Sequence, residues 1–213
     1  MAKTNPWLDV SIPIHNAMHG WPGSPPTFVT MHLGTAKGDV CNVSAIQFNS
    51  HTGTHMDAPV HFLHGAKTMD DLPWEAVIGP ARVVEIKDRK AIKSAELKKI
   101  KPREGERLLF KTRNSAVSYR KPEFDKNFVY ISKEGAQYLV DCGVRTVGVD
   151  YFSVGGFYRD GIETHHALLK AEIWIIEGLN LSGVKPGDYD LICLPIKLHK
   201  GDGAPARCLV RQR

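Results

Sequence analysis

Apolar side chains in this chain recur mostly at every second position, the period of a half-buried strand. Leu8, Val10, Ile12 and Ile14 alternate through residues 7–14, predicting a first strand that Pro13 confines to a sheet edge. Further strands are predicted at 28–33, 40–48, 81–87, 107–112, 128–131, 146–149, 173–176, 191–196 and 207–211. Helical stretches are fewer. Ser94 is placed to cap a helix to about residue 100, with Glu96 near the positive end of its dipole. Ser132 is placed to cap residues 133–142, with Gly143 just past the end. Thr164 is placed to cap residues 165–171. Residues 15–26 and 152–161 are loops rich in glycine, with proline in the first, and 63–80 reads as mostly irregular, punctuated by Gly65, Pro73, Gly79 and Pro80. Strands alternating with a few helices predict an α/β fold with a mixed sheet, and 1–213 reads as a single domain.

Composition narrows the function class. The net charge is +5 and the isoelectric point about 9.0, with much of the excess in residues 87–107. There Lys98, Lys99, Lys101 and Arg103 alternate with acidic residues, and no aromatic platform accompanies them. A solvated surface is the expected reading, with no nucleic-acid partner. No apolar run approaches the roughly 20 residues of a membrane helix, and residues 1–9 lack a secretory apolar core. Cys41, Cys142, Cys193 and Cys208 form no CxxC pair, which suits free thiols in a reducing cytoplasm.

The candidate chemistry lies in Ser50–Phe62, where His51, His55, Asp57 and His61 follow the pattern H-x-x-x-H-x-D-x-x-x-H. Neutral imidazole and carboxylate are ligands for first-row divalent metals, and this spacing concentrates them on one short segment. His51 and His55 are four residues apart, so either a helical turn or a loop at a strand end presents them. Pro59 limits any helix through that point. A second candidate set is Glu177, closing the apolar run 173–176, with His165 twelve residues earlier. A carboxylate there is costly to bury without a partner, and a metal is one such partner. Spacing alone leaves open an ordinary turn at Glu177, and either His165 or His166 as ligand. Trp21 is either a core anchor for its loop or an aromatic wall for an aryl substrate. His64 has no partner in the pattern and reads as surface.

Residues 51–61, His-Thr-Gly-Thr-His-Met-Asp-Ala-Pro-Val-His, resemble the signature of the cyclase family of metal-dependent hydrolases, which includes bacterial kynurenine formamidase and isatin hydrolase. Trp21-Pro22-Gly23, Gly148–Val154, His165–Leu169, Ile176–Leu179 and Gly203–Arg207 are similar to its other motifs, although His166 stands where the family usually has Arg or Lys. The resemblance implies a swivelling β/β/α fold and a dimer or larger homo-oligomer. It implies two metal positions, Zn2+ or Mn2+, with His51, His55 and Asp57 at one and Asp57, His165 and Glu177 at the other. It assigns proton transfer to His61, although the residue types alone also allow a further ligand there. The implied reaction is hydrolysis of N-formylkynurenine to kynurenine and formate by metal-bound hydroxide. Cyclic amide or lactone hydrolysis of the isatin hydrolase kind is the alternative. A non-catalytic, metal-stapled binding protein is the contrasting class, which the absence of cysteine near the cluster disfavours.

Overall fold

The alternating runs close into a barrel in the computed structural model, which describes residues 5–16, 18–117 and 123–213. The strands are β1 (Leu8–Asp9), β2 (Phe28–Leu33), β3 (Val43–Gln47), β4 (His55–Asp57), β5 (Ile78–Glu85), β6 (Ala91–Ile92), β7 (Arg107–Lys111), β8 (Tyr130–Ile131), β9 (Thr146–Val149), β10 (Trp174–Glu177), β11 (Gly187–Pro195) and β12 (Gly203–Gln212). The helices are α1 (Trp74–Val77), α2 (Ser94–Ile100), α3 (Asn114–Val117), α4 (Lys133–Asp141) and α5 (Gly161–Lys170). The main sheet runs β1-β12-β11-β5-β7-β9-β10-β4, and β4 pairs back onto β12, so all of it but β1 forms a ring. β5, β7, β9 and β10 are parallel neighbours and the remaining pairs antiparallel, which makes the sheet mixed as expected.

Strand alternation sorts the apolar residues into two cores. Met56, Val83, Leu109, Ile176, Leu191 and Cys208 fill the barrel interior. Ile175, Val147, Leu108 and Phe110 point outward and are covered by Leu97, Leu139 and Leu168 of α2, α4 and α5. Fully burying such a side chain is worth about 1.5–3 kcal/mol, so the face choice of each strand is strongly determined. Gly148 of β9 faces inward, where a Cβ would lie 2.6 Å from Leu109 and 2.8 Å from Leu179.

Several boundaries differ from the sequence expectation. Residues 7–14 pair only over Leu8–Asp9. Beyond them the Ile12 amide donates to the Thr54 hydroxyl, and Pro13 has no amide to extend a ladder. The strand at 40–48 shortens to β3, which pairs with β2 as an exposed hairpin outside the ring. The irregular 63–80 segment holds a short 3-10 turn, Met69–Asp71, then α1 and the start of β5. Gly79 lies inside that strand at φ +131°, with the Arg107 guanidinium across it. The last two strands are longer than predicted, and β8 is shorter than the 128–131 expectation. Helix α4 follows its signals: Ser132 Oγ accepts from the Gly135 amide at 3.1 Å, and Gly143 ends the turn at φ +67°. Helix α5 starts earlier than Thr164, whose hydroxyl donates to Ile131 O at 2.8 Å instead of capping.

Candidate active site

β4 is three residues long and is held on both edges. Asp57 pairs with Ile175 of β10 and Gly203 of β12, and His55 with Glu177 and Pro205. His55 and Asp57 are two apart, so they share the outer face, while Met56 between them enters the barrel core. Glu177 lies directly opposite His55, and α5 brings His165 over the same face. His51 stands in the turn before β4, so no helix joins it to His55. Pro59 opens a short 3-10 turn, Pro59–His61, that returns His61 to the cluster. His51 and His61 stack with ring centroids 4.0 Å apart. His165 faces the carboxylates, whereas the His166 ring packs edge-on to Phe62. His64 is exposed, as expected.

The polar atoms of this cluster converge. His55 Nε2 lies 3.2 Å from Glu177 Oε2 and 3.5 Å from Asp57 Oδ1. His165 Nε2 lies 3.4 Å from Glu177 Oε1 and 3.8 Å from Asp57 Oδ2. The other nitrogen of each ring is already used: His55 Nδ1 is 2.9 Å from Gly53 O, and His165 Nδ1 is 2.6 Å from Gly161 O. A carbonyl only accepts, so each Nδ1 carries a proton and Nε2 is the nitrogen whose lone pair can be offered toward the carboxylates. Lone pairs and carboxylates facing one another demand a positive charge between them. His55 Nε2 and Asp57 Oδ2 are buried and make no hydrogen bond. Such an atom costs about 1–3 kcal/mol or more, so the arrangement fits a divalent cation. Burial pushes the His165 imidazolium down, but Glu177 and Asp57 outweigh it and raise the pKa. Burial pushes the Glu177 carboxyl up, and the His165 and His55 rings facing it hold it well below the carboxylate range. Burial also opposes charge on His51, yet Asp57 and Asp202 raise it to about 10. At His61, burial prevails and lowers the pKa.

Among the described residues two donor sets gather within 4.8 Å, His51–Asp57–His61 and His55–Asp57–Glu177, and Asp57 belongs to both. This grouping differs from the one the sequence resemblance implied, because β-pairing puts His55 beside Glu177 and the 3-10 turn puts His61 beside His51. His165 reaches both carboxylates from α5.

A family profile described as "Putative cyclase" matches residues 8–155. Kynurenine formamidase of Bacillus thuringiensis (strain Al Hakam) is 34% identical over 209 residues, which cover 98% of this chain and 99% of the relative. This chain belongs to the cyclase family. The kynurenine formamidase of Geobacillus thermodenitrificans is 37% identical, covering 98% of each chain. Among solved structures, a predicted metal-dependent hydrolase from Bacillus stearothermophilus has a TM-score of 0.86 at 31% identity, covering 99% of this chain and 100% of that one. Isatin hydrolase A from Ralstonia solanacearum shares the fold, with a TM-score of 0.85 at 18% identity, covering 98% and 92%.

In this cyclase-family chain the donors open into a cavity of about 380 Å³. His51, His61, His165 and Glu177 form one side, and Trp21, Phe62, Phe152 and Phe157 supply aromatic walls. Trp21 is 38% exposed and packs 5.3 Å from Phe157 and 5.4 Å from Phe124, so it is a cavity wall and not a buried anchor. Phe62 lies flat on the His165 ring, with centroids 4.2 Å apart at 12°. Two larger grooves, of about 600 and 810 Å³, contain none of the clustered histidines, so chemistry and not size singles out this cavity. Sequence reasoning missed Phe62, Phe152 and Phe157 as walls, and Asp202 beside His51; the acidic residue immediately before the Gly203 motif was the available signal for Asp202. Asp150, in the Gly148–Val154 motif, does not join the donors. It is buried and accepts from Thr112 and Ser115, bracing their turn.

Two glycines make room for the cluster. A Cβ on Gly203 would lie 2.7 Å from His51 Cε1. A Cβ on Gly178, at φ +71°, would lie 2.3 Å from Gly53 O, the carbonyl that orients His55. Gly178→Ala is therefore expected to cost on the order of 2–5 kcal/mol through strain and overpacking. The check is a lower urea midpoint at unchanged slope; an unmoved midpoint contradicts the close approach.

Proposed function

We propose that residues 1–213 form one metal-dependent amidohydrolase domain with arylformamidase activity, converting N-formylkynurenine and water to kynurenine and formate. The observation that carries this reading is the unpartnered pair His55 Nε2 and Asp57 Oδ2, converging with Glu177 beside an aromatic cavity. The full-length likeness to kynurenine formamidases, at 34% and 37% identity, supports the substrate. We assign His51, His55, Asp57, His165 and Glu177 as ligands of two positions sharing Asp57. Their nitrogen and oxygen donors suit Zn2+ or Mn2+. A bound cation supplies Lewis acidity, polarising a carbonyl and lowering the pKa of water.

The chain's own groups do the rest. His61 takes the proton from the attacking water and returns it to the anilide nitrogen as the C–N bond breaks. Formate carries off the new C–O bond. Trp21 stacks on the aryl ring and holds the carbonyl toward the donors. Trp21→Ala is expected to raise KM for aryl formamides by about tenfold and to leave small aliphatic formamides nearly unaffected. Equal losses on both would make Trp21 merely structural.

Hydrolysis of a ring amide, as the isatin hydrolase fold suggests, is the second reading. Assaying Zn2+- and Mn2+-loaded protein against N-formylkynurenine, isatin and simple lactones decides between them, with fastest turnover expected on the first. A metal-stapled binding protein is the contrasting case: chelation would then unfold it, whereas an enzyme loses activity and keeps its fold. Exposed Phe28, Met31 and Ile46 on the β2–β3 hairpin support a homodimer or higher homo-oligomer. The facing thiols of Cys193 and Cys208 suit a reducing cytoplasm. Among the described residues no helix is long and apolar enough to cross a membrane. The Lys93–Asp88 ion pair supports a solvated basic segment with no nucleic-acid partner.

A further inference from the structure

We infer that Asp202 is a positioning residue whose carboxylate sets the orientation of both His51 and His61, coupling the metal ligand to the proton-transfer group. The inference rests on the proposed roles of those two histidines.

Asp202 immediately precedes β12, and its carbonyl accepts from the Ala58 amide at 2.9 Å, which anchors it beside β4. Its Oδ2 atom faces three groups. His51 Nε2 lies 2.9 Å away, the Ser50 hydroxyl 3.2 Å and His61 Nδ1 3.7 Å. The Asp202 carboxylate is half exposed to water. As a carboxylate it only accepts, so His51 donates from Nε2. That leaves His51 Nδ1, 2.9 Å from Asp57 Oδ1, as the nitrogen available to a cation shared with Asp57. A metal-bound imidazole whose other N–H is fixed by a carboxylate is held in one tautomer and one orientation. His61 stacks on His51 and contacts the same oxygen, so a tilt of one ring disturbs the other. The neighbouring Gly203 leaves the space that the His51 ring needs.

Asp202 has little else to do. Its side chain is 48% exposed, and exposed ion pairs contribute little to a fold. Truncation should therefore spare the structure and act on the site. It also lies outside the set of residues lining the cavity, so its loss should not weaken substrate binding directly.

The test uses the full chain as wild type, Asp202→Ala and Asp202→Asn, with Zn2+ alone as the probe. Chelator competition is expected to show roughly 10–100-fold weaker Zn2+ binding for Asp202→Ala. The Asn variant should be intermediate, because its amide oxygen still accepts from Nε2. At saturating Zn2+, kcat for the preferred substrate should fall while KM stays close to wild type. Thermal midpoints of the metal-free proteins should agree, and Asp202→Asn, which keeps the side-chain volume, serves if Asp202→Ala does not fold. Tight binding by wild type with unchanged affinity in Asp202→Ala overturns this inference and leaves the proposed function standing. Failure of wild type itself to bind Zn2+ overturns both.

Discussion

Asp57→Ala is expected to lose most of its bound metal and to reduce turnover by more than about 10³-fold. Asp57 is fully buried, belongs to both donor sets, and offers an oxygen with no hydrogen-bond partner. No other side chain in the cluster is shared in that way. Lewis-acid stabilisation of developing charge is worth several kcal/mol, and each 1.4 kcal/mol is about tenfold in rate. The loss should exceed that of His55→Ala, which empties one donor set and leaves the other. Elemental analysis of purified Asp57→Ala is the measurement. Full metal content would mean that the cation, if any, lies elsewhere and that Asp57 serves only to orient His51.

His61→Ala is expected to keep its metal and fold while turnover falls by roughly 10²–10⁴-fold, the usual contribution of a general acid–base group. The reaction requires one proton to leave water and one to reach the departing amine. His61 lines the cavity and sits one ring away from His51, within contact of Asp202. The rival role is ligation, since a ring nitrogen of His61 comes within 4.8 Å of donor atoms on His51 and Asp57. Metal content separates the two. Retained metal with lost turnover supports proton transfer; a parallel fall in both makes His61 a ligand.

Sequence alone was informative wherever the chemistry is local. The alternation of apolar residues identified most strands, because a one-residue slip would turn a whole apolar face into water. Ser132 and Gly143 marked the ends of α4, because caps satisfy backbone groups within a few residues of themselves. The crowding of His51, His55, Asp57 and His61 was legible as a site, because four candidate ligands in eleven residues leave the chain little freedom to separate them. What the sequence could not decide depends on residues distant along the chain. Closure of the barrel through β4 rests on pairing with β10 and β12, more than a hundred residues away, and that pairing sets His55 against Glu177. His165 was distinguished from His166 only by the rotation of α5, which begins a turn before its expected cap. Asp202 was invisible as a partner of His51 until residues 151 apart were brought to 2.9 Å. Spacing lists which side chains are available for a site; the distances between their donor atoms follow from strand register and helix rotation, which long-range packing determines.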